Sequence, residues 1–297
     1  MQLRPGVAMA MAALPVAVIA VFIFYPAIGA VLYTLGVKGA VSLAFTAGAT
    51  HQVFAPKGIT LAVYTGLLAD PEFQRDMLVT VLVAALTVAI CLVIGYSVAT
   101  FARFRSGPLA RWVTGLYLMP LFIPIVIASY ALVAFFQPGG WLTVFMYHVL
   151  GMKPPPSIAF TTADVVVGEV WASIPFSVLV LTSGMTAIND DWLQAARDMG
   201  AGPLTLFTRF VLPLTQLQAL IVGTFTAIGV LGSFTVPYVT GPNAPQMLGV
   251  AMDAYYGAFG RPQQAEAMAV MLFVVAAIVG VPYVWAMARA RASARRS

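Results

Sequence analysis

The sequence has few charged residues: 8% of its side chains are Asp, Glu, Lys or Arg, whereas a soluble domain has about 25%. Hydrophobic residues account for 61% of the 297 positions. A soluble fold of this length cannot bury so much apolar surface, so the composition excludes an ordinary water-soluble protein. It indicates a chain whose solvent is a lipid bilayer.

The residues that metal sites and enzymes use are also scarce. Cys91 is the single cysteine, which excludes a disulfide within the chain. The two histidines, His51 and His148, are far apart and have no second ligand at metal spacing. No lysine follows a glycine, so a phosphate-binding P-loop is absent, and no hydrolase or dinucleotide motif occurs. We therefore expect no cofactor, no metal and no catalytic activity in the chain itself.

The sequence has many apolar stretches that are long enough for membrane helices, which need about 20 residues each. The six candidates are Val7–Leu35, Met77–Phe101, Trp112–Phe136, Asp164–Ala187, Val211–Val239 and Ala265–Ala288. The first is about twice as long as the apolar core of a signal peptide, so we expect it to be retained as a span. The predicted fold class is all-α, with about six transmembrane helices in one domain over residues 1–297.

The basic residues alternate between the segments that separate these stretches. Ten lie in one set of segments: Arg4, Arg103, Arg105, Arg111, Arg197, Arg209, Arg289, Arg291, Arg295 and Arg296. Five lie in the other set: Lys38, Lys57, Arg75, Lys153 and Arg261. The positive-inside rule places the richer set in the cytoplasm, with both termini there. The net charge of +5 is therefore expected to set topology rather than to bind nucleic acid.

The connection after the fourth stretch, residues 189–212, differs from a passive loop. Asn189 is a good N-cap, and two aspartates follow it in the first helical turn. Gly200 then interrupts the helix, and Pro203 suits the start of a second one. An apolar face at helical spacing is predicted from Trp192, Ala195, Ala196 and Met199. Such a segment either lies flat on the membrane surface or docks a cytoplasmic partner, with Trp192 as anchor beside Arg197 and Asp198.

The same connection resembles the EAA motif of ABC importer permeases, which runs E-A-A, three residues, G-A, and later an apolar-x-L-P ending. The matching residues are Ala195, Ala196, Gly200, Ala201, Phe207, Leu212 and Pro213. Gln194 stands where the motif usually has Glu, and the Pro often found shortly after the L-P pair is absent. The stretch Gly232–Gly249 is similar to the polyamine-type branch, which includes permeases for spermidine, putrescine, iron and aminoethylphosphonate.

The resemblance implies the MetI-like fold of a type I ABC importer permease in a bacterial inner membrane. It implies four partners: a cytoplasmic ABC ATPase dimer, a second permease subunit that is a copy or a homologue, a periplasmic solute-binding protein, and membrane lipids. The substrate would be a small polar solute of the polyamine, iron or aminoethylphosphonate class. Together with the docking interpretation, the resemblance predicts which residues couple the permease to the ATPase. They are Trp192, Gln194, Ala195, Ala196, Arg197, Asp198, Gly200, Ala201 and Pro213.

Glu169 is the carboxylate that lies well inside a predicted span. It either faces a substrate path, where it would meet a cationic solute, or lies near enough to the outer interface to be solvated. The alternative function is an ion-coupled secondary transporter or channel, which would be expected to carry several acids at the midplane and broken helices in repeated halves. A membrane-embedded enzyme would need clustered His, Asp or Glu.

Overall fold

The computed structural model describes residues 5–37, 53, 58–105 and 107–294. Within these residues the regular elements are helical and there is no β-strand, which confirms the all-α prediction. The predictions that concern Arg4, Lys38, His51, Lys57, Arg295 and Arg296 lie outside the described residues.

The helices follow one another with short breaks. In chain order they are α1 (Pro5–Ile19), α2 (Tyr25–Thr34), α3 (Ala62–Ala69), α4 (Pro71–Phe104), α5 (Pro108–Leu116), α6 (Ile125–Phe136), α7 (Trp141–Val144), α8 (Thr162–Thr186), α9 (Asp190–Asp198), α10 (Pro203–Leu206), α11 (Leu212–Leu214), α12 (Gln216–Leu231), α13 (Thr235–Thr240), α14 (Leu248–Asp253) and α15 (Pro262–Ala294). Four turns of π-helix continue these helices. Ala20–Phe24 joins α1 to α2, and Phe207–Val211 joins α10 to α11. Phe145–Val149 follows α7, and Ala254–Ala258 follows α14.

Five of these helical runs in the described part of the chain are long and apolar enough to cross a membrane. They are Ala13–Thr34, Pro71–Phe104, Ile125–Val149, Thr162–Thr186 and Pro262–Arg289. A sixth is possible if the bent pair Pro203–Leu214 and Gln216–Leu231 counts as one span. The predicted number of about six spans is therefore confirmed.

The third predicted span, Trp112–Phe136, is wrong in its boundaries. The helix α5 ends at Leu116, a 3₁₀ turn follows, and α6 begins only at Ile125. Pro120 and Pro124 explain the interruption, because proline has no N–H for the helical ladder and disfavours the α conformation in the residue before it. The apolar run that can cross the membrane is shifted towards the C-terminus, over Ile125–Val149.

The fifth predicted span, Val211–Val239, is not one continuous helix. It bends by 69° between Leu214 and Gln216, and α12 then ends at Leu231. Pro213 lies two residues after the end of the π-helical stretch and removes one N–H from the ladder. The bend separates the connection that precedes it from the apolar helix α12.

By contact density the chain divides into two compact units, Met1–Gln74 with Ala251–Phe273, and Arg75–Val250 with Val274–Ser297. The prediction of one domain over residues 1–297 stays a prediction. In the first unit, the Tyr64 hydroxyl lies 2.6 Å from Oγ1 of Thr34, which joins α3 to the end of α2. In the same unit the buried Gln263 side chain donates to the carbonyls of Tyr33 and Val53, each at 2.9 Å.

In the second unit, α8 is the central helix and packs against α6, α12 and α13. Gly168 permits the close approach of α13, because a Cβ at this position would lie 2.6 Å from Cγ1 of Val236. The start of α4 holds the loop before α14: Oδ1 of Asp76 and Oγ1 of Thr80 accept hydrogen bonds, each of 2.9 Å, from the backbone N–H groups of Gln246 and Leu248.

Candidate functional site: the coupling segment

The coupling segment, residues 189–212, begins with a capped helix. The side chain of Asn189 accepts a hydrogen bond of 2.9 Å from the backbone N–H of Asp191. Asp190 and Asp191 fill the first turn, where the helix dipole favours negative charge, and Arg197 lies in the last turn, where it favours positive charge. These local signals favour a helix of nine residues. A helix this short is not stable in isolation, so it also needs packing against the rest of the protein.

Gly200 ends this helix with a left-handed turn. Its φ is +86°, a conformation that glycine adopts without steric cost. The N–H of Gly200 donates to the carbonyl of Arg197 at 2.8 Å, and the N–H of Ala201 donates to that of Ala196 at 3.0 Å. These two bonds form a Schellman motif. The helix, glycine turn and second helix predicted for this connection are confirmed.

One face of α9 is buried within the protein. Leu193 is 3% exposed and Ala196 is 1% exposed. Both belong to an apolar cluster with Leu181, Met185 and Ile188 from α8 and the turn after it, together with residues of α4, α10 and α12. The prediction that Ala196 shares an apolar face with Trp192 is therefore wrong: Ala196 packs inward with Leu193, a residue that the sequence analysis did not single out.

The face of α9 next to this buried one presents apolar side chains outward. Trp192 is 58% exposed and Met199 is 80% exposed, and Ala195 between them is also exposed. We call Trp192, Ala195 and Met199 the docking face. The other predicted coupling residues also lie at the surface of the segment, except for the half-buried Ala201; they are Gln194, Arg197, Asp198, Gly200 and Pro213.

Two interactions fix α9 against the end of α4. Arg103 forms a hydrogen-bonded ion pair with Asp190 and also donates to the carbonyl of Ile188 at 3.4 Å. The guanidinium carbon of Arg197 lies 5.5 Å from the ring centre of Phe104, within cation–π range. From the sequence, Arg103 is only a marker of topology, because no local pattern shows that the two helix ends meet.

A polar contact inside the apolar cluster joins α4 to the bend of the fifth span. The hydroxyl of Tyr96 lies 2.9 Å from Oγ1 of Thr215, and Thr215 itself donates to the carbonyl of Val211 at 2.7 Å. Tyr96 is therefore the donor. Its ring also makes an edge-on contact with Phe207, at 5.6 Å between ring centres. The coupling segment is thus attached to two long helices, α4 and α12.

Glu169 lies outside this segment, on α8. It is 5% exposed, so its carboxylate is buried among the helices. The substrate-path interpretation and the outer-interface interpretation both stay predictions. Ser233, in the break between α12 and α13, lies within hydrogen-bonding reach of its carboxylate. Eight residues before Glu169, Thr161 caps α8 by accepting a hydrogen bond of 3.4 Å from the N–H of Asp164. The structure does not bring Glu169 together with the coupling residues.

Acidic, histidine and cysteine side chains form no cluster that could hold a metal ion among the described residues. The segment thus has a capped helix with one face packed on the body of the protein and another face exposed.

The profile of the family described as binding-protein-dependent transport system inner membrane component matches residues 91–295. Spermidine/putrescine transport system permease protein PotB of Escherichia coli (strain K12) is 32% identical over 163 residues, which are 55% of this chain and 59% of PotB. The chain thus spans less than two thirds of the length of PotB. Molybdenum transport system permease protein ModB of Mycobacterium tuberculosis (strain ATCC 25618 / H37Rv) is 29% identical over 218 residues, 73% of this chain and 80% of ModB.

Solved structures share the fold at low sequence identity. A chain from the crystal structure of a bacterial alginate ABC transporter, in complex with an alginate pentasaccharide-bound periplasmic protein, aligns with a TM-score of 0.75 and 16% identity, over 93% of this chain and 92% of that one. A chain from inward-facing MetNI methionine ABC transporter aligns with a TM-score of 0.54 and 20% identity, over 73% of this chain and 94% of that one. The predicted MetI-like, all-α permease fold is confirmed.

Proposed function

Because the chain belongs to the family of inner membrane components of binding-protein-dependent transport systems, we propose that it is the permease subunit of an ABC importer. It is a multi-pass protein of the inner membrane. In the proposed assembly a second permease subunit, a copy or a homologue, completes the pathway. A dimer of cytoplasmic ABC ATPases supplies the energy, and a periplasmic binding protein delivers the solute.

The docking face of α9 is the observation that carries this proposal. A tryptophan and a methionine that are more than half exposed stand on a helix whose other face is anchored in the protein. Exposed aromatic anchors on a rigid helix are typical of protein-binding surfaces. We assign this face to the ATPase, with Gln194, Asp198 and Gly200 at its edges.

The anchoring contacts provide a route from the ATPase to the membrane helices. A displacement of α9 acts on α4 through Arg103 and Phe104, and on the bend of the fifth span through the contact between Tyr96 and Thr215. In energetic terms, ATP binding favours whichever permease state holds the two docking faces closer together. The permease needs no chemistry of its own for this step.

The test is replacement of the anchor. We expect Trp192→Ala to weaken ATPase binding about thirty-fold, since a hot-spot aromatic residue is worth about 2 kcal/mol. Transport and binding-protein-stimulated ATP hydrolysis should fall with it in reconstituted vesicles. Trp112→Ala is the matched control, because Trp112 is a similarly exposed tryptophan on α5, outside the coupling segment.

Unchanged ATPase binding by the Trp192 variant would contradict the proposal, and so would equal losses in both variants. A chain that works without any ATPase would instead support the ion-coupled transporter. Gentle co-purification with a soluble ATPase separates these two functions.

The orientation in the membrane is part of the proposal. The ten-to-five distribution of basic residues supports a cytoplasmic location for both termini and the coupling segment. Asp198 is exposed and offers a labelling site as Asp198→Cys in a Cys91→Ala background. A membrane-impermeant thiol reagent should label it only after the vesicle or cell is opened. Labelling of intact cells from outside would show that the orientation is the reverse of the one proposed.

For the substrate we propose a small polar cation of the polyamine class. The similarity to PotB supports this choice, and a buried carboxylate in the central helix α8, Glu169, offers charge complementarity. The similarity to ModB, over a larger share of this chain, makes an oxyanion the second candidate. Uptake of labelled spermidine against labelled molybdate, with the cognate binding protein and ATPase, distinguishes the two.

A further inference from the structure

A groove runs along one side of α4 beside the coupling segment. It consists of two adjoining cavities of about 570 and 490 Å³ that share Thr100, Pro203 and Phe207 in their walls. The first cavity extends along α4 as far as Leu92 and Val93. The second reaches Phe104 and Arg105 at the end of the same helix. We call the two cavities together the α4 groove.

The groove has the depth of one membrane leaflet. From Leu92 to Phe104 the helix rises about 18 Å, at 1.5 Å per residue. Half of the hydrocarbon core of a bilayer is about 15 Å. Along this distance the walls are mostly apolar, formed by Leu92, Val93, Phe207 and Leu212. Tyr96 in the same wall already directs its hydroxyl to Thr215.

The mouth of the groove is cationic. Arg105 and Arg197 both line the second cavity, and no acidic side chain of the described residues lines it. The position of Arg197 is fixed by its contact with the ring of Phe104. Arg103, one residue before Phe104, is engaged elsewhere, with Asp190. Two guanidinium groups therefore stand at the end where α4 leaves its apolar surroundings.

We propose that the α4 groove binds one anionic phospholipid, with its phosphate between Arg105 and Arg197 and one acyl chain along α4 towards Leu92. A charged mouth above an apolar channel matches a molecule with an anionic head and a hydrocarbon tail. Guanidinium groups bind phosphate through paired, charge-assisted hydrogen bonds. An extended peptide fits less well, because leucine, valine and phenylalanine side chains cannot satisfy its backbone N–H and C=O groups.

A lipid in this position contacts both α4 and the coupling segment, since Pro203 and Phe207 line both cavities. It would hold the second helix of the segment against α4 and so stabilise one position of the docking face. The composition of the inner leaflet would then influence coupling without entering the solute pathway.

The experiment measures lipid binding to the purified full-length chain by native mass spectrometry, with added phosphatidylglycerol, phosphatidylcholine or inorganic phosphate. We expect phosphatidylglycerol to bind about twenty-five-fold more tightly than phosphatidylcholine, since each arginine near an anionic head group contributes about five-fold. The double variant Arg105→Gln/Arg197→Gln should lose this preference. Arg209→Gln is the matched control, because Arg209 is an exposed arginine of the same segment that lines neither cavity.

A second variant tests the acyl-chain part of the groove. Ser97 lies on its wall and its hydroxyl is bonded only within α4, to the carbonyl of Val93 at 2.7 Å. Ser97→Phe should fill the groove and weaken both lipids, whereas Ser97→Ala should weaken neither. This readout does not depend on transport, so it can fail while the proposed function stands.

Three outcomes would overturn the proposal. The first is a preference for phosphatidylglycerol that survives the double arginine replacement. The second is displacement of the lipid by inorganic phosphate, which would mean that the mouth recognises phosphate without a tail. The third is a cross-link from Ser97→Cys, in a Cys91→Ala background, to a second permease subunit in the assembled transporter, which would assign the groove to a protein neighbour.

Discussion

The hydroxyl of Tyr96 donates a hydrogen bond of 2.9 Å to Oγ1 of Thr215, inside an otherwise apolar cluster. Thr215 lies at the 69° bend that separates the coupling segment from α12, and Tyr96 lies on α4. The contact therefore joins the continuous helix α4 to the point at which the fifth span changes direction. The coupling segment cannot rotate about this bend unless the hydrogen bond breaks or α4 moves with it.

Removal of this bond should loosen the bend. We expect Tyr96→Phe to lower the free energy of unfolding by about 1 kcal/mol, since it deletes one buried hydrogen bond and keeps the ring contact with Phe207. Binding-protein-stimulated ATP hydrolysis should fall more than basal hydrolysis. Thr215→Val and the double variant complete a mutant cycle, in which the double variant should cost less than the sum of the two single ones.

Ser97→Ala is the control for this prediction. It removes a neighbouring hydroxyl of α4 that bonds only to the carbonyl of Val93 in its own helix. Its thermal unfolding in detergent and its ATP hydrolysis should match those of the parent. Equal effects of Ser97→Ala and Tyr96→Phe would show that the contact with Thr215 has no special role.

The left-handed turn at Gly200 should tolerate no side chain without strain. A Cβ there meets no atom within 4 Å, so the cost of Gly200→Ala comes from φ = +86° alone. We expect a loss of about 1–2 kcal/mol in unfolding free energy, with a larger loss for Gly200→Val. The docking face would tilt, and ATPase binding should weaken.

Gly202→Ala provides the comparison for Gly200. Gly202 is two residues further along, is also unobstructed, and has φ = −71° and ψ = 168°, which any residue adopts. We expect its effect on unfolding and on ATPase binding to be less than about 1 kcal/mol, because alanine is a poorer N-cap than glycine but lowers the entropy of the unfolded chain. Similar losses at the two positions would mean that the positive φ of Gly200 is not the source of the cost.

Neighbouring residues of α9 should respond oppositely to truncation. Leu193→Ala opens a cavity in the apolar cluster, and we expect it to lower the unfolding free energy by about 2–5 kcal/mol. Trp192→Ala removes an exposed ring and should leave thermal unfolding nearly unchanged while it weakens ATPase binding. If Trp192→Ala destabilised the permease as much as Leu193→Ala, the docking face would be part of the folded core.

Glu169 tests the cationic-substrate proposal. Glu169→Gln keeps the shape of the side chain and its reach to Ser233 but removes the ability to carry charge. If the solute is a polyamine, uptake should weaken while assembly with the ATPase is unchanged. Asp164→Asn is the matched control, a second buried acid of α8. Equal uptake losses in both variants would assign the effect to the helix rather than to Glu169.

The broad outline of the fold follows from the sequence by itself. Apolar stretches of about 20 residues are stable only inside a bilayer, so the number of spans follows from composition and length. The helix–turn–helix of the coupling segment was also predictable, because Asn189, Gly200 and Pro203 are local signals whose effect depends on the backbone within a few residues. The family resemblance rested on the same residues, Gln194–Pro213.

The tertiary structure alone decided which side of α9 packs inward and which side is exposed. Sequence periodicity grouped Ala196 with Trp192, yet Ala196 packs inward with Leu193. Both alanine and leucine suit either environment, so only the positions of α8 and α4 distinguish them. The ion pair between Arg103 and Asp190, and the bond between Tyr96 and Thr215, join residues 87 and 119 positions apart. No local pattern encodes such pairs, because they form only when the helices pack against one another. Each polar group then loses its hydration and needs a hydrogen-bonding partner in its place.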